Sequence, residues 1–244
     1  MVEKAECQEV IHEGADLLGE GNGLDMLPIP ISTPGFDSAP TLTATNVITV
    51  DPETGVQNMG TYRCALKAPD RMVVRMATRV GGAGGYLHYQ AWKKAGHKTM
   101  PCAVVLGCPP FVAFMGPQKL PIGMDEFDVA GGLAGVPIQI TNARTVALKV
   151  PAQAEIVIEG QIDLDMLEPE APFGESHGHV ALEVQPAHEN HGYHASPQAR
   201  DSFLHQSGSA ERIECHQACG LRAFVLGSFA RFFGHSRRQE GVFA

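Results

Sequence analysis

Positive charge is scarce in this chain: 18 Lys and Arg stand against 27 Asp and Glu, a formal net charge of -9. A nucleic-acid surface draws its affinity from lysine and arginine on phosphates, so this balance argues against such a binder. It does not exclude an anionic small molecule, because one buried arginine dominates the field of a closed site. Long apolar runs are missing too. No stretch reaches the roughly 20 residues that a membrane span needs. The N-terminus, MVEKAECQEVIHEG, puts acids where a secretory signal carries a basic and then an apolar region. Cysteine is sparse. Six in 244 residues cannot staple a chain of this length, so a reducing, cytoplasmic setting is expected. What remains, 44% hydrophobic and 18% charged residues, suffices for a substantial core.

Pro and Gly punctuate Leu27 to Pro40 (LPIPISTPGFDSAP), which reads as extended and irregular. Short runs rich in Val, Ile and Thr follow at Thr43–Val50, Val56–Ala65 and Met72–Met76. Asp51-Pro52 and Ala68-Pro69-Asp70 separate them, the pattern of hairpins in a sheet or barrel. Tyr86 to Ala95 has helical spacing, and Asp125–Leu133 predicts a short helix with acids in its first turn. Cys102–Leu106, Pro137–Ile140, Thr145–Val150 and Glu155–Glu159 predict further strands. Beyond Glu183 regular periodicity fades, and eight of the eleven histidines lie between His177 and His235. Composition alone therefore predicts a poorly structured tail over residues 184–244.

Four polar clusters interrupt this apolar, Gly-rich background: Asn58 with Arg63 in NMGTYR, His88 after VGGAGG, Glu126 opening a helix, and Glu170 with Glu175 in EAPFGE. Strict strand alternation would put Asn58, Gly60 and Tyr62 on one face, so a bulge or twist is needed before Asn58 and Arg63 serve one site. Read singly, each has an ordinary explanation. Arg63 and Glu175 could form a structural ion pair, and His88 could be a satisfied half-buried side chain. Glu126 could complement the helix dipole. VGGAGG lacks the lysine and glycine spacing of a phosphate loop.

In order, however, LPIPISTPGFDSAPTLT, DPETGVQNMGTYR, GLAGVPIQI, VPAQAEIVIEG and LEPEAPFGESHGHV resemble the UbiD family of decarboxylases from about Cys7 to Glu183. GGAGGYLHYQ and FGESHG are similar to the phenolic acid type within it, the vanillate, 4-hydroxybenzoate and protocatechuate decarboxylases. The resemblance implies a β-rich α+β fold: an extended segment over 1–40, a split β-barrel of the flavin-binding kind over 41–183, and an aberrant tail over 184–244. It implies non-oxidative, reversible decarboxylation of an aromatic or α,β-unsaturated acid, with prenylated FMN as electron sink. Asn58, His88 and Glu126 would hold Mn2+ (or Mg2+) at the flavin phosphate, with K+ nearby. Asn58, Thr61, Tyr62, Arg63, Gln118 and Lys119 would contact the cofactor. Arg63 would anchor the substrate carboxylate, Glu170 would join its network, and Glu175 would supply the proton that replaces CO2. Many relatives carry the metal histidine in a shorter Arg-His segment. Here that region reads TRVGGAGGYLHY, and His88 is the histidine available.

The expected partners are an aromatic acid substrate and a flavin prenyltransferase supplying the cofactor, with the parent enzyme a homo-oligomer. Family members add a domain before and a domain after this segment, so the chain as written is expected to show little or no activity. Back-translated codons read one base later from Val184 give a string similar to the family's continuation, including an SQVxPSES segment. Residues 184–244 are therefore expected to be an out-of-frame product. The alternative soft-metal reading of Cys215, His216 and Cys219 falls inside that tail.

Overall fold

The computed structural model describes residues 1–195 except 18–20, 34, 36, 38, 77–82, 122, 171–172, 175–179 and 182–183, with the backbone alone from 180 onward. All of these lie in one compact unit, Met1–Arg200. The strands are β1 (Val10–Glu13), β2 (Thr41–Leu42), β3 (Asn46–Val50), β4 (Gln57–Thr61), β5 (Cys64–Ala68), β6 (Arg71–Val74), β7 (Thr99–Leu106), β8 (Ile140–Asn142), β9 (Lys149–Pro151), β10 (Ile156–Pro169), β11 (Phe173–Gly174), β12 (Val180–Ala181) and β13 (Val184–Ala195). Three α-helices accompany them among the described residues: α1 (Gly84–Lys94), α2 (Pro110–Met115) and α3 (Glu126–Ala134).

The main sheet runs β2-β5-β6-β13-β10-β7-β3-β4, with β1 added beside β13, and its described pairings are antiparallel. Chain connectivity forces this sheet to curl. Strands β4 and β5 stand six places apart in the order, about 29 Å in a flat sheet at ~4.8 Å per strand. Only Tyr62 and Arg63 join them, and the three steps from Thr61 to Cys64 reach about 10 Å. The same holds for β2 and β3, also six places apart and joined by residues 43–45. The two ends of the sheet must therefore meet without strand pairing between them. Thr45 and Tyr62 continue the β3–β4 register one step past Asn46 and Thr61, and Thr45 Oγ1 donates to the Tyr62 carbonyl, tying the two connections together where they leave that end of the sheet. The result is a split barrel within a β-rich α+β fold.

This crossing resolves the alternation problem. The expected run Val56–Ala65 is two strands, and the chain leaves β4 before Arg63. Asn58 therefore stays on one edge strand while Arg63 opens the other side of the seam. Helix α2 was not foreseen, since Pro109-Pro110 reads as a breaker; Pro110 occupies its first turn, where no N–H is required. Strand β13 extends ordered backbone past the boundary placed at Glu183. Its pairings with β10, β6 and β1 need only backbone donors and acceptors.

One face of β3, β4, β7 and β10 packs on α2, α3 and the β8–β9 region. Ile48, Met59, Val105 and Val157 meet Val112, Met115, Phe127 and Val150 there, all buried. Each such side chain is worth roughly 1.5–3 kcal/mol in burial. Glu159, within AEIVIEG, is a buried acid of this wall. It accepts from Arg144 N (2.9 Å), Thr145 N (2.6 Å) and Thr145 Oγ1 (2.8 Å), tying the 144–145 turn to β10.

Candidate active site

Strand β4 lies at the end of the sheet order, so its outward backbone groups need partners from elsewhere. Helices α2 and α3 supply them. Met59 N donates to Glu126 Oε2 at 2.9 Å, and Thr61 N donates to the Gly116 carbonyl at 3.1 Å. Asp125 caps α3 by accepting from Phe127 N at 2.8 Å, which sets Glu126 in the first turn, facing β4. Glu126 is 5% exposed, and burial, its leading influence, raises its pKa. Among the described residues no lysine or arginine forms an ion pair with it.

Asn58 is the cross-strand partner of Thr49, and Thr49 Oγ1 shares a hydrogen bond of 2.9 Å with His88 Nδ1. That contact engages one ring nitrogen and leaves Nε2 for a ligand. Burial lowers the His88 pKa against the opposing pull of Asp51, which favours the neutral ring. Helix α1 begins directly over Asn58. A Cβ on Gly84 would stand 1.8 Å from Asn58 Oδ1, which is why glycine is required there. Tyr62 fills the next space: its hydroxyl accepts from Gly85 N at 3.2 Å and from Asn58 Nδ2 at 3.5 Å, and burial raises its pKa.

A second cluster sits across the seam. Glu170, its side chain 2% exposed, accepts from Arg63 Nε through Oε1. Its other oxygen, Oε2, lies 3.6 Å from Arg75 Nε. The Arg63 guanidinium also stacks over Phe173, 4.8 Å from the ring centroid. Arg75 was absent from the sequence expectations. Hairpin register could have found it: Cys64 pairs with Val74, so Arg63 and Arg75 are the next opposed pair, and Arg75 N donates to the Arg63 carbonyl at 3.0 Å.

The structure therefore gathers Asn58, Tyr62, His88 and Glu126 along the β4 edge, and Arg63 with Glu170 across the seam. Glu175 lies outside the described residues. Thr61 Oγ1 meets Asn46 Oδ1 at 3.4 Å, next to Gly116, rather than the α1 side. Gln118 folds back, its Nε2 donating to the Phe114 carbonyl at 3.1 Å, and Lys119 is exposed; no contact joins either to Asn58 or Arg63. The thiols take no part. Burial pushes Cys7 up to about 11 and Cys64 and Cys108 to about 12, so all three stay protonated.

The described donor set suits a hard divalent ion: one carboxylate oxygen, one amide oxygen and one imidazole nitrogen. A buried carboxylate without a described cationic partner is the observation that makes the fit, because such a group is costly until a cation meets it. Among the described residues no cluster of three or more His, Cys, Asp or Glu side chains that could hold a metal ion gathers, so this set counts the Asn58 amide as its third member.

A split barrel with a cation-ready edge and an arginine-lined seam defines a class of small-molecule site. The chain belongs to the UbiD family: the model for the 3-octaprenyl-4-hydroxybenzoate carboxy-lyase Rift-related domain matches residues 1–190. It is similar to the UbiD-class enzyme HmfF from Pelotomaculum thermopropionicum, solved with FMN, at 30% identity and a TM-score of 0.72, covering 80% of this chain and 42% of that one. An evolved dimeric form of HmfF with prFMN matches at 30% identity and 0.71, covering 79% and 43%. Vanillic acid decarboxylase from Sedimentibacter hydroxybenzoicus matches at 28% and 0.68, covering 80% and 40%. The chain thus spans about two-fifths of the length of these relatives. No helix among the described residues is long and apolar enough to cross a membrane.

Proposed function

We propose that this chain carries the metal-binding and carboxylate-binding parts of a non-oxidative, reversible decarboxylase acting on an aromatic or α,β-unsaturated acid, of hydroxybenzoate type, with prenylated FMN. The observation that carries this reading is that six consecutive residues, Asn58 to Arg63, join a cation-ready cluster to an anion-ready one. Asn58, Glu126 and His88 Nε2 hold Mn2+ or Mg2+ against the flavin phosphate, with K+ close by. Tyr62, Thr61, Gln118 and Lys119 are the further cofactor contacts. Arg63 receives the substrate carboxylate in a charge-assisted, two-point contact, and Glu170 orients it. Glu175 delivers the proton that replaces CO2, which requires its carboxyl to stay protonated. When bound, the prenylated flavin supplies the electron sink for the breaking C–C bond. The intact enzyme is a cytoplasmic homo-oligomer whose cofactor comes from a flavin prenyltransferase.

A second reading is a fragment of such an enzyme that retains weak flavin and metal binding without turnover. Co-expression with a flavin prenyltransferase, followed by assay of CO2 release from 4-hydroxybenzoate, separates the two. Release, abolished in Glu175→Gln with flavin retained, supports the decarboxylase. Turnover surviving in Glu175→Gln removes Glu175 as proton donor. Flavin retention without release selects the fragment reading, and loss of both defeats either.

A further inference from the structure

Like charges directly opposed on an antiparallel pair repel, and the β5–β6 register sets Arg63 against Arg75 in that way. The pair is tolerated because the Glu170 carboxylate, almost wholly buried, is placed between them: Oε1 on Arg63 Nε and Oε2 facing Arg75 Nε at 3.6 Å. Arg63 is itself largely buried, at 11% side-chain exposure, whereas Arg75 is 25% exposed at the rim. Arg75 thus brings a second guanidinium to the carboxylate that already pairs with Arg63.

We propose that Arg75 is a positioning residue for the reaction. By engaging the second oxygen of Glu170 it fixes that carboxylate edge-on to Arg63. Arg71, at the start of β6, has no such part: it pairs with Glu168 at 3.1 Å on a more exposed surface. The benzoate readout below rests on the reading of Arg63 as the carboxylate anchor, whereas the alignment of Glu170 does not.

The test is solvent exchange of the Arg63 Nε–H, followed by NMR in the full chain labelled with 15N and assigned by its loss in Arg63→Lys. Arg75→Gln is expected to speed that exchange at least tenfold, Arg75→Lys to give an intermediate rise, and Arg71→Gln to leave it unchanged. Exchange in Arg75→Gln equal to wild type overturns the proposal. If Arg75→Gln does not fold, Arg75→Lys decides, and wild-type exchange there overturns it equally. Sodium benzoate serves as the carboxylate probe. Its dissociation constant is expected to weaken about tenfold in Arg75→Gln and to recover in Arg75→Lys. Benzoate that leaves the wild-type Arg63 signal unmoved defeats the anchor reading, and exchange alone then decides whether Arg75 positions Glu170.

Discussion

The two clusters flanking the seam are built on opposite electrostatic plans. Along the β4 edge, Asn58 and a neutral His88 surround one ionisable acid, Glu126, and the contacts holding them are to backbone and hydroxyl groups. Across the seam, two guanidinium groups converge on one carboxylate. The first set centres on a buried acid, and the second brings two guanidinium groups to one carboxylate. One invites a cation, the other an anion, and the short strand from Asn58 to Thr61 with the Tyr62–Arg63 crossing fixes their spacing. Under the proposed function, a cation held at one end and a carboxylate at the other would need this asymmetry, because a uniform field would repel one of them.

The sharpest way to break the contrast is Glu170→Ala. It removes the carboxylate between a largely buried guanidinium and a second one at the rim, and loss of one partner in such a cluster costs about 3–5 kcal/mol. The expected outcome is a matching fall in urea unfolding free energy, and a loss under ~1 kcal/mol would show the cluster to be solvent-screened. Gly84→Ala comes next. The added Cβ must displace Asn58 Oδ1 or lift the start of α1, an overpacking cost of about 1–3 kcal/mol. Its thermal midpoint should fall and Mn2+ binding with it; unchanged Mn2+ affinity would detach α1 from the metal side.

Glu126→Gln sharpens the comparison by separating structure from charge. Its amide oxygen still accepts from Met59 N–H, so stability should change by less than about 1 kcal/mol, while Mn2+ affinity should fall at least about tenfold. Titration by calorimetry checks this, and wild-type affinity would remove Glu126 from the ligand set.

The smallest effect concerns Asp51 beside the same edge. Its carboxylate accepts from Thr54 N (2.8 Å) and Glu53 N (2.9 Å), and the Thr54 bond leads in holding its pKa below 3.8. A lowered carboxylate pKa stabilises the fold above 3.8 and loses that contribution as pH falls through the folded value. Asp51→Asn should therefore cost about a few tenths of a kcal/mol at neutral pH, the group being only half-buried and its field screened by solvent. Urea midpoints of the two proteins should converge below pH 3.8, and a constant gap would contradict this origin.

Much of the site was legible in the order of its residues. NMGTYR carries both halves of the bipolar arrangement, and the acid at the start of α3 follows from Asp125-Glu126 before an apolar run. Arg75 was not legible, because a lone arginine after MVV gains meaning only from hairpin register. Helix α2 was hidden by its prolines. Glu159 read as part of a family string, yet it is a wall acid satisfied by one turn.

By itself the sequence determined most of the short strands, the helices α1 and α3, the acidic balance and the membership of a decarboxylase family, while β8 (Ile140–Asn142) and β9 (Lys149–Pro151) begin only at the ends of the runs expected at Pro137–Ile140 and Thr145–Val150. These depend on local period, capping and ordered strings. The curl of the sheet, the seam crossed at Tyr62 and Arg63, the place of β13 between β10 and β6, and the meeting of Arg63 with Glu170 and Arg75 were decided by tertiary structure. Each joins segments far apart in the chain through backbone pairing or buried charge, and no local pattern encodes which distant partner completes them.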